Sequence, residues 1–115
     1  MRIEEREREG VCILKIHGDV SEEAHSSLLQ DKIQSLAESG SVVVLLDLAD
    51  CPNIDAAGVG KVVECYQTLS RMKGNLALLH MPERIRELLS ITKLLTVFDS
   101  FDDEDEAVHF LREQE

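Results

Sequence analysis

The pattern of apolar and polar positions changes its period along the chain and opens with a predicted hairpin. Residues 2–9 are charged at nearly every position, Gly10 allows a turn, and Val11 to His17 is β-branched and mostly apolar. A β-branched, mostly apolar run favours a central strand. Dense charge is typical of an edge strand, where it prevents pairing between molecules. We therefore expect two antiparallel strands within residues 2–17.

A helical pattern follows the hairpin. Apolar residues recur every three or four positions from Ala24 to Ala37, so one face of this helix should be buried. Ser21 is the candidate N-cap, because two glutamates follow it in the first turn, where the helix dipole favours anions. Gly40 supplies the left-handed stop. His25 has no second ligand at metal-binding spacing on this helix, so we assign it no metal.

A polar turn joins the most strand-like run of the chain, Val42 to Leu48, to one of its clearest helices. Val42 to Leu46 is continuously apolar, as expected of a strand in the middle of a sheet, and Asp47 ends that run. Apolar positions from Val59 to Met72 then predict a helix that Gly74 closes, with Asp55 as its N-cap. Ligands and partners collect at the carboxyl ends of strands in open α/β sheets. We therefore expect function in this turn.

Two further strands and helices complete the predicted fold. Asn75 to His80 is a short strand, Pro82 suits the first position of a helix that ends near residues 90–91, and Leu94 to Phe98 is the last strand. The acidic run at residues 102–106 opens the final helix. The order β-β-α-β-α-β-α-β-α predicts a single α/β domain over residues 1–115, with a mixed sheet of four to five strands and about four helices.

Composition and charge limit the class of partner. Apolar residues make up 43% of the chain and charged residues 30%, which is typical of a globular protein. The net charge is −11, and residues 99–115 contribute −7 of it through eight acidic side chains and one basic one. Such a surface repels nucleic-acid phosphates and anionic lipids, so we expect a protein or small-molecule partner. We expect the acidic run at residues 102–106 to stabilise the start of a helix. As an alternative, it is a docking surface for a basic patch on a partner.

Two features favour a cytoplasmic location. No apolar run reaches the roughly 20 residues that cross a bilayer, and the polar N-terminus excludes a signal peptide. Cys12, Cys51 and Cys65 form no CxxC pair, which fits a reducing compartment better than a disulfide framework.

Three aspartates in the central turn raise the question of a metal or phosphoacceptor site. Asp47, Asp50 and Asp55 could hold Mg²⁺, as in the receiver domains of two-component signalling, where an aspartate at a strand end accepts phosphate. Receivers also need an acidic pair after the first strand, and here only Asp19 stands in that position. The structural alternative gives Asp55 a capping role, Asp50 a turn before the proline and Asp47 hydrogen bonds with loop amides.

The turn carries no nucleotide-binding or catalytic motif. Gly58-Val59-Gly60 with Lys61 matches neither GxxxxGK[ST] nor GxGxxG, so we expect the glycines to allow close packing of the helix start, inside the protein or in a complex. Cys51 lies near a helix N-terminus, which would lower its thiol pKa; a structural thiol is the alternative. No nucleophile is paired with a base, so we expect neither an enzyme nor a cofactor.

The central stretch resembles the signature of STAS domains, the fold of anti-sigma factor antagonists. The family has a strand that ends in an Asp- or Asn-containing run, a short loop, and then an apolar-Asp-Ser-Ser-Gly-apolar-Gly motif that opens a helix. The matching residues here are Leu45-Leu46-Asp47-Leu48 and Ile54-Asp55-Ala56-Ala57-Gly58-Val59-Gly60. The resemblance covers nearly the whole chain, with Gly18-Asp19 at the family's turn out of its second strand and Met81 to Leu89 at its third helix.

The resemblance implies a role in binding a protein. In the family, a serine kinase that is also an anti-sigma factor binds the antagonist and phosphorylates the first Ser of the motif. The added charge breaks the interface, and a phosphatase restores it. The resemblance makes residues 53–63 the partner-binding stretch, and its candidate contact residues are Asn53, Asp55, Ala56, Ala57, Gly58, Gly60 and Lys61.

Two alanines depart from the family pattern. Ala56 occupies the phosphoacceptor position and Ala57 replaces the next Ser. Alanine has no hydroxyl, so we expect no phosphorylation at this site. Three interpretations stay open: constitutive binding, like an antagonist locked in its dephosphorylated form; a scaffold or transport-associated STAS domain that never used the switch; or engineered alanines.

The sequence therefore predicts a non-catalytic, cytoplasmic bacterial STAS domain that binds a serine kinase/anti-sigma factor and acts in partner switching and transcription regulation. One alternative is a STAS subunit of a larger assembly, in a stress-signalling or lipid-transport complex. The other is a magnesium-dependent phosphotransfer protein of the receiver type.

Overall fold

The computed structural model describes residues 2–20 and 26–113, which form one five-stranded mixed sheet with four helices. The sheet has the order β1-β2-β3-β4-β5, with β1 antiparallel to β2 and the remaining pairs parallel. This arrangement confirms the predicted α/β fold and its element order. The strands are β1 (Arg2–Arg8), β2 (Val11–His17), β3 (Val43–Asp50), β4 (Asn75–Leu79) and β5 (Asp99–Phe101), and the helices are α1 (Ser26–Glu38), α2 (Ala56–Arg71), α3 (Glu83–Ile91) and α4 (Glu104–Glu113).

Two apolar clusters cover the two faces of the sheet. Helices α1, α2 and α3 pack on one face, against alternate strand residues such as Leu14 and Leu46. Helix α4 packs on the other face, against residues such as Ile13 and Leu45. Because both faces of β3 are covered, its residues 43–48 are all buried, which explains why this strand has no polar alternation.

The acidic start of α4 is tied to the edge strand β1. The Arg8 Nη1 atom lies 2.7 Å from Glu104 Oε2, and Arg6 forms an ion pair with the same carboxylate. The hydrogen bond from the Arg6 guanidinium is the largest of the causes that lower the pKa of Glu104 to about 2. The hydrogen bond from Arg8 lowers this pKa further. Asp103 Oδ2 accepts a hydrogen bond from the amide of Glu106 at 3.1 Å. The acidic run therefore has structural partners at the helix start.

The last strand lies further along the chain than the sequence predicts. The pattern places it at residues 94–98, whereas the structure places it at 99–101 and forms a turn before it. Lys93 has a left-handed backbone (φ 62) after α3, and the next two amides both donate to the carbonyl of Leu89, at 2.8 and 3.1 Å. The apolar run arises because Phe98 is buried beneath the helices, not because of strand pairing. The predicted span was wrong.

Four element boundaries also differ from the sequence prediction. β3 ends at Asp50, two residues past the predicted end at Leu48, and α2 begins three residues before Val59. Pro82 is the N-cap of α3, one position before its first residue. Lys73 (φ 63), not Gly74, provides the left-handed residue after α2. Gly74 is needed for space, since a Cβ there would lie 2.0 Å from the Val42 carbonyl oxygen. The predicted cap Ser21 and also His25 lie outside the described residues.

Candidate partner-binding site

Two loops meet at the carboxyl end of the sheet and are joined by backbone hydrogen bonds. In the loop at residues 18–20, the amide of Val20 donates to the Asn53 carbonyl at 3.1 Å, and its carbonyl accepts from the Asp55 amide at 3.2 Å. Val20 and Ile54 form a parallel bridge. These bonds hold the stretch before α2 against the loop that follows β2.

Gly58 packs the start of α2 directly onto that loop. A Cβ at this position would lie 2.3 Å from the Val20 carbonyl oxygen and 2.8 Å from Ile54 Cγ2. The backbone of Gly58 is helical, so the glycine is required for space and not for an unusual dihedral angle. One of the two glycines thus has the close-packing role inside the protein that the sequence allows.

Asp55 caps the helix and sets the orientation of its first turn. Its Oδ1 atom accepts a hydrogen bond from the Gly58 amide at 2.7 Å, and its backbone is extended, as is usual for an N-cap. Ala56 follows as the first helical residue and is exposed, and Ala57 is half-buried. The position that holds serine in the family therefore lies at the surface, one residue after a fixed carboxylate.

Gly60 lies on the exposed side of the same helix. Apart from its two chain neighbours and the nearby backbone of its own helix, no atom of the described residues lies within 4 Å of the place where its Cβ would be. Glycine inside a helix costs about 0.5–1 kcal/mol relative to alanine, and nothing packed against Gly60 in this part of the chain accounts for that cost. Lys61 beside it is half-buried, with its Nζ atom 3.8 Å from Glu64 Oε2.

Asn53 connects the loop to helix α3. Its Oδ1 atom accepts a hydrogen bond from Arg84 Nη1 at 2.8 Å. Exposed Arg84 and buried Val20 are the two contributors to this site that the sequence does not reveal. Each comes from a stretch distant in sequence from residues 53–61, so no local pattern identifies them.

The three aspartates of the turn point to different partners. Asp47 is buried and accepts a hydrogen bond from the Ala49 amide at 3.0 Å, whereas Asp50 Oδ2 lies 3.1 Å from His17 Nδ1 and 3.7 Å from Lys15 Nζ. Asp50 thus lies beside a histidine and a lysine at the end of β3, where the sequence expects it to shape a turn. Within residues 2–20 and 26–113, no three His, Cys, Asp or Glu side chains are grouped as metal ligands.

Cys51 is a buried thiol at the beginning of this loop. Burial raises the pKa of its thiol to about 11, the opposite of the lowered pKa that a helix N-terminus would produce. Its Sγ atom lies 3.5 Å from the Asn53 carbonyl oxygen. The contacts support the structural alternative for this cysteine.

In the described ranges, every helix is too short or too polar to span a bilayer.

Comparison with protein families identifies the class of protein. A family model described as the STAS domain matches residues 2–107. The chain therefore belongs to the STAS domain family, which confirms the resemblance. No curated protein matches the sequence.

Solved structures with the same fold include anti-sigma factor antagonists. The chain is similar to TM1081 of Thermotoga maritima, a putative anti-sigma factor antagonist, with 23% identity and a TM-score of 0.88 over 96% of this chain and 94% of that one. It is similar to the unphosphorylated form of the Bacillus anti-sigma factor antagonist SpoIIAA, with 18% identity and a TM-score of 0.73 over 96% and 98% of the two chains.

A transporter contains the same fold. Murine Slc26a9, an anion transporter, matches with 17% identity and a TM-score of 0.75, over 94% of this chain and 18% of that one. At these levels of identity the structural matches show a common fold.

Proposed function

We propose that this STAS domain is a non-catalytic, protein-binding module of the anti-sigma factor antagonist type. Within the predicted stretch 53–63, its partner would dock on the part that holds the candidate contact residues, 53–61, here called the docking surface. The observation that carries the proposal is the exposed start of α2. Ala56 and Gly60 stand four residues apart, so they share one helix face, and both are exposed. Asp55 and Gly58 fix the backbone beneath them.

Such a surface suits close contact with another protein. Small side chains let the partner approach the helix backbone, and a fixed backbone loses little conformational freedom on binding. Gly60 fits this role because, within the described residues, nothing occupies the space beside it. The close packing expected of the glycines is thus divided, with Gly58 packing inside the chain and Gly60 facing the partner.

The proposed partner is a serine kinase that is also an anti-sigma factor. Membership of the STAS family and the likeness to TM1081 and SpoIIAA support this class of partner. The protein would act in the cytoplasm of a bacterium, in partner switching that regulates transcription. The contact residues proposed are Asn53, Asp55, Ala56, Ala57, Gly60 and Lys61. Gly58, which the sequence also places among them, is buried and supports the surface from inside the chain.

Phosphorylation would not control this interaction at the usual position. SpoIIAA has been solved in both unphosphorylated and phosphorylated forms, whereas Ala56 offers no hydroxyl. A phosphate beside Asp55 would add roughly two negative charges next to an existing carboxylate, and these would have to lose their water on docking. Without it, the abundance of the partners or competition between them would control binding.

Intact mass after incubation with the kinase and ATP tests this proposal. The wild-type protein should gain no phosphate within residues 54–60. Ala56→Ser should gain one phosphate, because it restores a hydroxyl at the exposed helix start. Ala57→Ser is the matched control and should gain none, since position 57 is half-buried. Because residues 54–60 of the wild type hold no hydroxyl, the Ala56→Ser variant decides the test. An Ala56→Ser variant that binds the kinase but gains no phosphate would contradict the proposal.

A second candidate is a STAS subunit of a larger assembly, such as a stress-signalling scaffold or a lipid-transport complex. The observation that favours it is the similar domain within the anion transporter Slc26a9. Gene neighbourhood separates the candidates: an adjacent anti-sigma factor gene supports the first function, and a transporter operon supports the second. The receiver-type alternative has less support, because receivers use the strand order 2-1-3-4-5 and this sheet is ordered 1-2-3-4-5.

A further inference from the structure

A groove of about 480 Å³, here called the α2 groove, runs along the second half of α2 and shares no lining residue with the docking surface. One side is a face of the helix, formed by residues three and four positions apart, and the other is the turn that follows α3. The lining residues are Val63, Tyr66, Gln67, Ser70, Arg71 and Val97. Small-molecule sites usually have volumes of about 300–1,000 Å³, so the α2 groove is large enough for an organic molecule.

The apolar part of the α2 groove is held in place by the core. Tyr66 is half-buried, and its ring centroid lies 5.5 Å from that of Phe98. Phe98 is itself buried in the cluster under the helices. Val97 is 43% exposed, and its amide donates to the Leu94 carbonyl at 3.0 Å. Because this apolar surface is already ordered, a ligand would lose little affinity in arranging it.

Arg71 gives the α2 groove a positive charge, and none of its lining residues is acidic. The chain has 23 acidic residues against 12 lysines and arginines, so most of its surface repels anions. Arg71 Nη2 donates to Thr68 Oγ1 at 3.4 Å, and within the described residues no carboxylate oxygen lies within 4.0 Å of this guanidinium. A guanidinium has five N–H donors, so others are available to a ligand.

The end of α2 does not leave bare carbonyls beside Arg71. Unpaired carbonyls give a helix C-terminus a partial negative charge, which disfavours anions and favours an arginine in the last turn. Here the Leu69 carbonyl accepts from the Gly74 amide at 2.7 Å. The Ser70 carbonyl accepts from the Lys73 amide at 3.1 Å. Repulsion of an anion by the helix end is therefore reduced.

We propose that the α2 groove binds an amphipathic organic anion. An apolar ring system lies against Tyr66 and Val97, and a carboxylate or phosphate on it pairs with Arg71. Gln67 and Ser70 add an amide and a hydroxyl donor on the same helix face. Charge complementarity at Arg71 selects an anion, and the apolar lining selects one that carries a ring system. This site is separate from the docking surface and needs no protein partner.

Fluorescence titration with two matched probes tests the charged contact. Anilinonaphthalene sulfonate has an apolar ring system with one anionic group, and N-phenylnaphthylamine has the same rings without the charge. The wild type should bind the sulfonate about fivefold more tightly, as expected of a favourable exposed ion pair, although the net charge of −11 repels anions elsewhere. Arg71→Gln should abolish this preference. Arg86→Gln removes a charge outside the groove lining and should keep it.

The apolar contact is tested with the same probes. Val97→Ser should weaken the binding of both about threefold, because it removes apolar surface from the groove. Ile91→Ser is the matched control, since Ile91 is 79% exposed but does not line the groove, and its affinities should stay within twofold of the wild type. All four variants should keep the wild-type melting temperature, which separates lost binding from lost folding.

Displacement of the sulfonate separates the two candidate anionic groups. Naphthoate carries a carboxylate and naphthyl phosphate a phosphate on the same rings, so the one that displaces the sulfonate at the lower concentration identifies the preferred group. Failure of both to displace it would overturn the proposal.

Four other results would also overturn it. They are equal affinities of the wild type for the charged and neutral probes, equal losses for Arg71→Gln and Arg86→Gln, and unchanged binding of both probes by Val97→Ser. The fourth is a wild-type dimer that the sulfonate dissociates in sedimentation velocity, because a second copy would then occupy the groove. No kinase enters these experiments, so their outcome is independent of the proposed function.

Discussion

The two glycines at the start of α2 should respond in opposite directions to the same substitution. Gly58→Ala places a methyl group 2.3 Å from the Val20 carbonyl oxygen, closer than real Cβ contacts occur. The same oxygen accepts a hydrogen bond from the Asp55 amide at 3.2 Å. If the oxygen moved away from the new methyl group, this hydrogen bond would be broken. Gly60→Ala places the same methyl group where, apart from the chain neighbours and the nearby backbone of α2 itself, no described atom lies within 4 Å.

The expected magnitudes follow from these distances. Overpacking of a fixed site costs about 1–3 kcal/mol, and displacement of Gly58 would also weaken the Asp55 cap, at about 1 kcal/mol. The gain in helix propensity offsets about 1 kcal/mol, so Gly58→Ala should lose about 1–3 kcal/mol of unfolding free energy. Gly60→Ala should gain about 0.5–1 kcal/mol. Each kcal/mol of unfolding free energy shifts the melting temperature by about 4 °C, so both changes are large enough to measure.

Urea denaturation followed by far-ultraviolet circular dichroism is the suitable assay, because the chain has no Trp and one Tyr. Both variants should unfold with the slope of the wild type, so that the midpoints report stability alone. Two destabilised variants, or a Gly58→Ala variant as stable as the wild type, would refute the close packing of α2 on the loop at Val20.

Two further predictions concern the helix starts. Asp55→Ala should lose about 1 kcal/mol, because the Gly58 amide loses its acceptor; Asp55→Asn should retain most of it in the same urea assay, and an equal loss in both would contradict the cap. The ion pairs of Glu104 should contribute stability above its ordinary pKa of 4.5 and lose it as the pH falls towards about 2, because the folded pKa is lowered. The urea midpoint should therefore decrease less between pH 6 and pH 3 for Glu104→Gln than for the wild type. The exposed control Glu106→Gln should show the same decrease as the wild type. Equal decreases in all three proteins would contradict the ion-pair assignment.

Local signals were sufficient for most of the fold. The continuous apolar run of β3 indicates a strand covered on both faces, and the two clusters on the sheet are those coverings. Asp55 is recognisable as an N-cap because it lies just before a helical pattern. An aspartate there can accept a hydrogen bond from a backbone amide of the first turn. Gly10 and Gly40 do have left-handed backbones, as their places at a turn and a helix end indicate.

Contacts between distant parts of the chain were not predictable. The packing of Gly58 on Val20 and the bond from Arg84 to Asn53 join residues that no periodicity relates. The sequence also cannot show that Lys73 and Lys93 adopt left-handed backbones, since lysine is not selected for that conformation. For the same reason, the turn after Lys93 was mistaken for a strand.

The affinity of the purified kinase for Ala56→Asp, compared with the wild type, tests the docking surface most directly. Aspartate in the first turn of a helix is favourable, so this variant should fold normally and change only the exposed surface. We predict at least tenfold weaker binding, because docking would have to strip water from a second carboxylate beside Asp55. Ser70→Asp, an exposed position at the other end of α2, should bind like the wild type. An Ala56→Asp variant that binds the kinase as tightly as the wild type would contradict the proposed role of residues 53–61.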